Sequence, residues 1–251
     1  MAIKSTLDEI RARFDQEVER FSNLQTGQTA TMDAALCMEL IAQAAVRTTP
    51  QATSLLDIGC GAGNYTLKLL SKMAALDCTL IDLSEPMLRR AVERIRPCTT
   101  GRVRTLQQDM LSAPLGENEF DIAMAASTLH HLRDESEWAS MFSRIFRALR
   151  PGGSFWIFDL ISHEGPIESL MRDRYGEYLS ELKGGGAEGD RYRDTVFAYI
   201  EKEDTPRPLL WQIDQLVAAG FTHVDILHKN ACFAAFGGVK GGACQPIGGQ
   251  S

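Results

Sequence analysis

The stretch Ser54-Leu55-Leu56-Asp57-Ile58-Gly59-Cys60-Gly61-Ala62-Gly63-Asn64-Tyr65 narrows the folds open to this chain more than any other. An apolar run ends in an acid, glycines alternate with small residues, and Thr66-Leu67-Lys68-Leu69-Leu70 continues with a helical pattern. That order predicts a strand, a tight turn and a helix, the opening of a nucleotide-binding α/β unit. Glycine suits the turn because its backbone takes up φ values that side chains resist, and because a ligand must approach bare backbone. The start of the helix leaves N–H groups unpaired, ready for the polar edge of an adenosyl ligand.

The position of the acid and the glycines decides which nucleotide. A dinucleotide fingerprint places glycines first, third and sixth. Gly59 and Gly61 fit that spacing, but Asn64 occupies the sixth place and Gly63 comes one residue early. Asp57 would repel a pyrophosphate and attract a ligand carrying an ammonium and a sulfonium. S-adenosylmethionine (SAM) is such a ligand. The run from Asp57 to Gly63 resembles the first motif of the class I SAM-dependent methyltransferases, which implies that Asp57, Gly59, Cys60 and Gly61 face the cofactor. The plain alternative is a tightly packed strand-turn-helix corner.

Composition sets limits on the rest. The chain has 251 residues, enough for one large domain with a full core. A net charge of −7 without a long basic run argues against tight, sequence-independent nucleic-acid binding. The six cysteines include no Cys-x-x-Cys pair, so neither a disulfide scaffold nor a metal site is expected and reduced cytoplasmic thiols are the simple reading. No apolar run approaches the roughly 20 residues of a membrane helix, and Met1 to Phe14 lack the apolar core of a secretory signal. A homodimer stays open.

Taken in order, Leu7, Ile10, Phe14, Val18 and Phe21 recur at helical spacing and predict an amphipathic N-terminal helix. A polar loop from Gln25 to Thr31 follows, then a helix from Met32 to Val46 with Thr31 as cap and Asp33 at its positive end. After the central motif, Cys78 to Asp82 reads as the second strand, and Ser84-Glu85-Pro86 starts a capped helix. A carboxylate at that strand tip accepts two hydrogen bonds from vicinal ribose hydroxyls, so Asp82 is the expected ribose ligand, with helix capping as its alternative. Leu83 and Met87 are placed to bracket the adenine face, with core packing as the equal alternative. Val103 to Gln107 forms the third strand. Asp109, beside Met110, matches the family's acid that reads the adenine amino group; a turn-forming Asp is the alternative. Phe120 to Ala126 forms the fourth strand, where small residues ending at Ala126 admit the methionine end of the cofactor. A helix over 134–149, an Arg150-Pro151-Gly152-Gly153 break and a fifth strand from Ser154 to Asp159 complete this resemblance.

The segment after the fourth strand bears on the substrate. Family members that methylate amino groups of nucleic-acid bases carry an Asn/Asp-Pro-Pro-aromatic segment there, and this chain has Ala126-Ser127-Thr128-Leu129 instead. Leu129-His130-His131-Leu132 is similar to small-molecule methyltransferases, in which a histidine of this segment lines the pocket. His131 is the expected general base and His130 a substrate contact, since imidazole titrates near neutrality; packing or capping is the alternative for either. From 163 to 205 the pattern loosens into a helix, a Lys183-Gly184-Gly185-Gly186 joint and a mixture of arginines and aromatics, where the family places its lid. Tyr192 and Arg193 are its expected substrate contacts, Arg193 through a bidentate grip on a carboxylate, with surface salt bridges as the alternative. Leu209 to Ala219 is expected as a helix, and 223–227 and 232–236 as the sixth and seventh strands.

The resemblance covers about residues 30–240. It implies an α/β, doubly wound, Rossmann-like sheet of seven strands, mostly parallel with an antiparallel last strand and helices on both faces. The expected parts are N-terminal helices over the cofactor mouth (1–50), a SAM-binding core (51–162), a lid (163–205), the closing helix and strands (206–240) and a tail (241–251). The implied chemistry is in-line transfer of a methyl group to a small-molecule acceptor, leaving S-adenosylhomocysteine. The C-terminal part is also similar to carboxy-SAM synthase, a tRNA-modification enzyme whose arginine holds the cofactor's extra carboxylate; Arg193 lies in that region. A non-catalytic SAM-binding module and a dinucleotide-binding oxidoreductase are the readings from other classes.

Overall fold

Leu55, Leu56 and Ile58 are fully buried because β1 (Ser54–Ile58) lies inside the sheet, with parallel partners on both sides. A strand covered on both edges and both faces reads as a continuous apolar run. The other strands are β2 (Asp77–Asp82), β3 (Val103–Gln107), β4 (Phe120–Ala126), β5 (Leu149–Leu160), β6 (Phe221–Asn230) and β7 (Phe233–Lys240). Their order across the seven-stranded sheet is β3-β2-β1-β4-β5-β7-β6. β7 runs opposite to the other strands and is antiparallel to both β5 and β6. The order reverses direction between β1 and β4, so a crevice opens beyond the carboxyl ends of these strands. The structure, a computed structural model, describes residues 4–23 and 28–242.

The helices are α1 (Leu7–Gln16), α2 (Val18–Ser22), α3 (Ala34–Thr48), α4 (Asn64–Leu70), α5 (Glu85–Ile95), α6 (Glu135–Ala148), α7 (Pro166–Glu181), α8 (Gly186–Glu203) and α9 (Leu209–Ala219). Side chains of α3, α4, α5 and α7 share a core with Leu55 and Leu80 on one face of the sheet. Those of α6 and α9 share the opposite core with Leu56, Ile58 and Phe155. Alternation along β1 thus splits its side chains between two layers. Helix starts follow ordinary chemistry: Ser84 accepts from the Met87 N–H, Asp134 accepts from the Ser136 and Glu137 N–H groups, and Thr6 with Glu9 forms a reciprocal box. No helix among the described residues is long and apolar enough to cross a membrane.

Several expectations need correction. The N-terminal helix is interrupted at Glu17, whose φ of −106° and ψ of 13° leave the helical basin. Asp33, at the positive end of α3 as expected, takes the N-cap place expected of Thr31, in a left-handed conformation, and its carboxylate accepts from His228 Nε2 and Asn230 Nδ2, both at 2.8 Å, rather than from the helix. Residues 163–205 form a pair of packed helices, α7 and α8, joined through Gly184 and Gly185. Strand β5 begins at Leu149, directly after α6, with a bulge opposite Phe120 and Ile122. Strands β6 and β7 extend beyond their expected spans because each pairs along most of the other's length. The expected loop residues 25–27 and the tail from 243 onward lie outside the described residues.

Phe142 reports on the α6 layer, since it is fully buried with its ring edge-on to those of Trp138 and Phe155. Replacing it by alanine is expected to cost about 3–5 kcal/mol. Urea unfolding followed by circular dichroism checks this, with the midpoint falling at unchanged slope.

Candidate active site

The turn after β1 builds the floor of the crevice. Gly59, Gly61 and Gly63 have φ of 64°, 49° and 81°, all in the left-handed region. Gly59 has a second reason to be glycine: a Cβ there would lie 2.1 Å from Thr128 Oγ1, beyond β4. The turn is held from β2, where the Ile81 carbonyl accepts from the Cys60 N–H at 3.0 Å and Asp82 Oδ2 accepts from the Gly61 N–H at 2.8 Å. Asp82 Oδ1 also accepts from the Ser84 N–H at 2.9 Å. Asp57 is held by Thr66 in the first turns of α4, whose Oγ1 donates to its Oδ2 at 2.5 Å.

These groups line a cavity of about 270 Å³. The expected cofactor residues Asp57, Gly59, Cys60, Gly61, Asp82, Leu83, Met87, Asp109, Met110 and Ala126 are all in its wall, as is His131. Leu7, Ile10 and Phe14 of α1 and Phe21 of α2 contribute an apolar side. Polar ties fix those helices there: Ser84 Oγ donates to Asp15 Oδ1 at 2.6 Å, and Asn64 Nδ2 donates to the Phe21 carbonyl at 2.8 Å. Arg90 Nε adds a bond to Ser22 Oγ at 3.2 Å.

The carboxylates are electrostatically unusual. Burial pushes Asp57 up to about 7, with the charge of Asp82 adding to the rise and the Thr66 hydroxyl opposing it. Burial likewise pushes Asp82 up to about 6, against the Ser84 and Gly61 N–H groups. Asp109 is raised by burial and held back by the backbone of Leu111 and Ser112. Desolvated carboxylates without a cation favour their neutral form, and a cationic ligand reverses that preference.

The two histidines have separate environments. Buried Asp159, on β5, accepts from the Leu129 and Leu160 N–H groups, both at 2.7 Å, and contacts His130 Nδ1. Burial alone would lower His130, but Asp159 and Asp204 raise it to about 9. His131 falls well below the ordinary imidazole value through burial, the adjacent His130, and the cations Arg13 and Arg133, so it is neutral at pH 7. Neither His131 ring nitrogen makes a hydrogen bond of ordinary geometry, and Asp204 Oδ1 is similarly unpartnered.

His130, Tyr192 and Arg193 do not line this cavity. His130 is tied to Asp159 behind the wall. Arg193 lies on the α7–α8 face and pairs with Asp190 and Asp194, both at 2.9 Å, while Tyr192 packs beside the α7 core under Lys183. Helical periodicity in α8 turns these side chains away from the cofactor crevice, which corrects the expectation of a substrate grip. Thr128, Asp159 and Asp204 escaped the sequence reading. Each acts through a contact distant in the chain, and no motif marks Asp204 in the charged run 201–204.

With this geometry in hand, comparison with known proteins is informative. Residues 55–153 match the family model described as a methyltransferase domain. The chain is 30% identical over 159 residues to phosphoethanolamine N-methyltransferase 2 of Caenorhabditis elegans, and that match covers 61% of this chain but 35% of the relative. It is 28% identical over 218 residues to carboxy-S-adenosyl-L-methionine synthase of Wolinella succinogenes, covering 83% of this chain and 85% of that protein. The Burkholderia thailandensis 1,6-didemethyltoxoflavin-N1-methyltransferase, solved with S-adenosylhomocysteine, shares the fold. Its TM-score is 0.61 at 19% identity, with 96% of this chain and 93% of that one covered.

The elevated Asp57 gives a signed pH prediction. The folded protein retains this proton up to about 7, whereas an ordinary carboxyl loses it near 3.8, so stability present at low pH is lost as pH rises through the folded value. Ligand-free Asp57→Asn lacks that loss. Between about pH 5 and about pH 8 it is expected to gain roughly 2–3 kcal/mol on the wild type. Paired urea titrations at the two pH values check the difference.

Proposed function

We propose, from the methyltransferase-domain match over residues 55–153, that the chain is a class I SAM-dependent methyltransferase that transfers the methyl group of SAM to a small-molecule acceptor by in-line displacement. One observation carries the reading: Asp57 and Asp82 are both in the wall of one cavity, on either side of a glycine floor, and burial favours their neutral forms. A ligand with a sulfonium and an ammonium stabilises ionised carboxylates there, and an acidic strand tip suits vicinal hydroxyls. Leu83 and Met87 bracket the adenine, and Asp109 reads its amino group. The acceptor's lone pair attacks the methyl carbon while the sulfur–carbon pair returns to sulfur, leaving S-adenosylhomocysteine. Sulfonium is a good leaving group, so the protein's main contribution is alignment, which supplies up to about 7–11 kcal/mol. The apolar cover from α1 and α2 keeps water from the reacting centre. His131, in the cavity wall, is the residue placed to receive the acceptor's proton when that proton leaves early, against the burial and neighbouring cations that disfavour its charged form.

The length of the match to carboxy-SAM synthase favours a second reading, a cofactor-modifying enzyme. Arg193, the cation expected to meet an extra carboxylate, points elsewhere. Arg133 lines the cavity, but it donates to the carbonyls of Glu203 and Ser5. Mass spectrometry of nucleosides extracted from the purified protein separates the two, since only the second reading predicts a carboxylated SAM.

Under the methyltransferase reading, Asp82→Ala weakens SAM binding by about tenfold or more, from loss of hydrogen bonds to a charged acceptor. His131→Gln leaves SAM affinity unchanged and lowers kcat by about 10²- to 10⁴-fold for an acceptor that must lose a proton. Calorimetry and transfer from labelled SAM into a metabolite extract measure the two effects. Undiminished SAM affinity in Asp82→Ala contradicts the site assignment. SAM binding with persistent absence of a methylated product favours a non-catalytic module.

A further inference from the structure

Behind the cavity wall, His130 Nε2 lies 3.7 Å and His131 Nδ1 3.4 Å from the same oxygen, Asp204 Oδ1. One ligand atom from each of His130, His131 and Asp204 can be chosen so that all three lie within 4.8 Å of one another. Asp204 is 4% exposed and this oxygen has no hydrogen-bond partner; His131 Nδ1 makes no hydrogen bond of ordinary geometry, with the Glu203 backbone beside the ring. Hydrogen bonds between such atoms would bring them to about 2.7–3.2 Å. The two separations from Asp204 Oδ1 are instead close to those between neighbouring donors around one ion: bonds of about 2.0–2.1 Å at tetrahedral angles set donors about 3.4 Å apart.

We propose that His130 Nε2, His131 Nδ1 and Asp204 Oδ1 bind a divalent first-row transition metal, zinc being the best match to two imidazoles and a carboxylate. The surroundings support this in three ways. Asp159 engages His130 Nδ1 and is itself fixed by the Leu129 and Leu160 N–H groups, the carboxylate–histidine pairing that turns the other ring nitrogen toward a metal. The two rings meet edge-on with centroids 4.4 Å apart, so consecutive residues of one 3₁₀ turn present donors to the same space. Nearby cations are already engaged: Arg13 pairs with Glu203 at 2.6 Å, Arg133 donates to the Glu203 and Ser5 carbonyls, and Lys4 to the Glu201 and Asp204 carbonyls. No Arg or Lys side chain among the described residues pairs with Asp204 Oδ1; the group facing it is the His130 imidazole, whose Nε2 proton the metal displaces on binding. Nitrogen donors disfavour magnesium and calcium, which prefer all-oxygen shells.

His131 also lines the cavity, which places the ion in the pocket wall. Ligation through Nδ1 leaves the ring proton on Nε2, so a metal-bound His131 cannot also accept a proton from the methyl acceptor. Metal occupancy and that base role therefore exclude each other.

The test uses the full-length protein stripped with a chelator, freed of it, and titrated with Zn²⁺ alone or Co²⁺ alone. Elemental analysis is expected to find one zinc per chain, and the cobalt form to show the intense visible bands of tetrahedral coordination. Asp204→Asn and His130→Gln each weaken zinc binding by more than about tenfold, and Asp159→Asn weakens it by about 10- to 100-fold by releasing the His130 ring. Circular dichroism and SAM binding of each variant show that it is folded. Absence of stoichiometric uptake by the wild type overturns the proposal, as does unchanged zinc affinity in folded Asp204→Asn and His130→Gln. The metal readout is independent of methyl transfer, so its failure leaves the functional reading standing.

Discussion

The burial of Asp57 and Asp82 against a turn of bare backbone governs the rest of the molecule. A carboxylate loses hydration when it is enclosed, and only fixed donors or a cation compensate it. Here the Thr66 hydroxyl and the Gly61 and Ser84 N–H groups give partial compensation and at the same time fix the turn. Gly59 closes the arrangement, because Thr128 occupies the space a side chain would need. The ligand-free site is left short of positive charge, which is the property that selects a cationic adenosyl donor over a pyrophosphate.

The sheet and its flanking helices serve that geometry. Reversal of strand order beside β1 opens the crevice, and the apolar layers on both faces keep the ends of β1, β2 and β4 in register. The N-terminal helices then close one side through a few polar ties to α4 and α5: Asn64 to the Phe21 carbonyl, Ser84 to Asp15 and Arg90 to Ser22.

How much could be read from the chain depended on whether a contact was local. The β1-turn-α4 unit was legible because an apolar run, an acid and spaced glycines state a backbone path within a dozen residues. The strand tips bearing Asp82 and Asp109 followed from the same repeating unit. The break at Glu17 was not legible, since the apolar spacing of Leu7 to Phe21 continues through it. Arg193 was misplaced because composition suggests a lid, whereas the turn of α8 decides which way a side chain faces. The His130–Asp159 and His131–Asp204 approaches join residues from three separate segments, and only the folded chain brings them together.

The central claim is that donor binding converts buried neutral carboxyls into ionised ones. Titration calorimetry with SAM at about pH 6.5, repeated in buffers of different ionisation enthalpy, measures this directly as proton exchange on binding. The account predicts net proton release to buffer, reduced in Asp57→Asn. Binding that exchanges no protons, or takes them up, contradicts it.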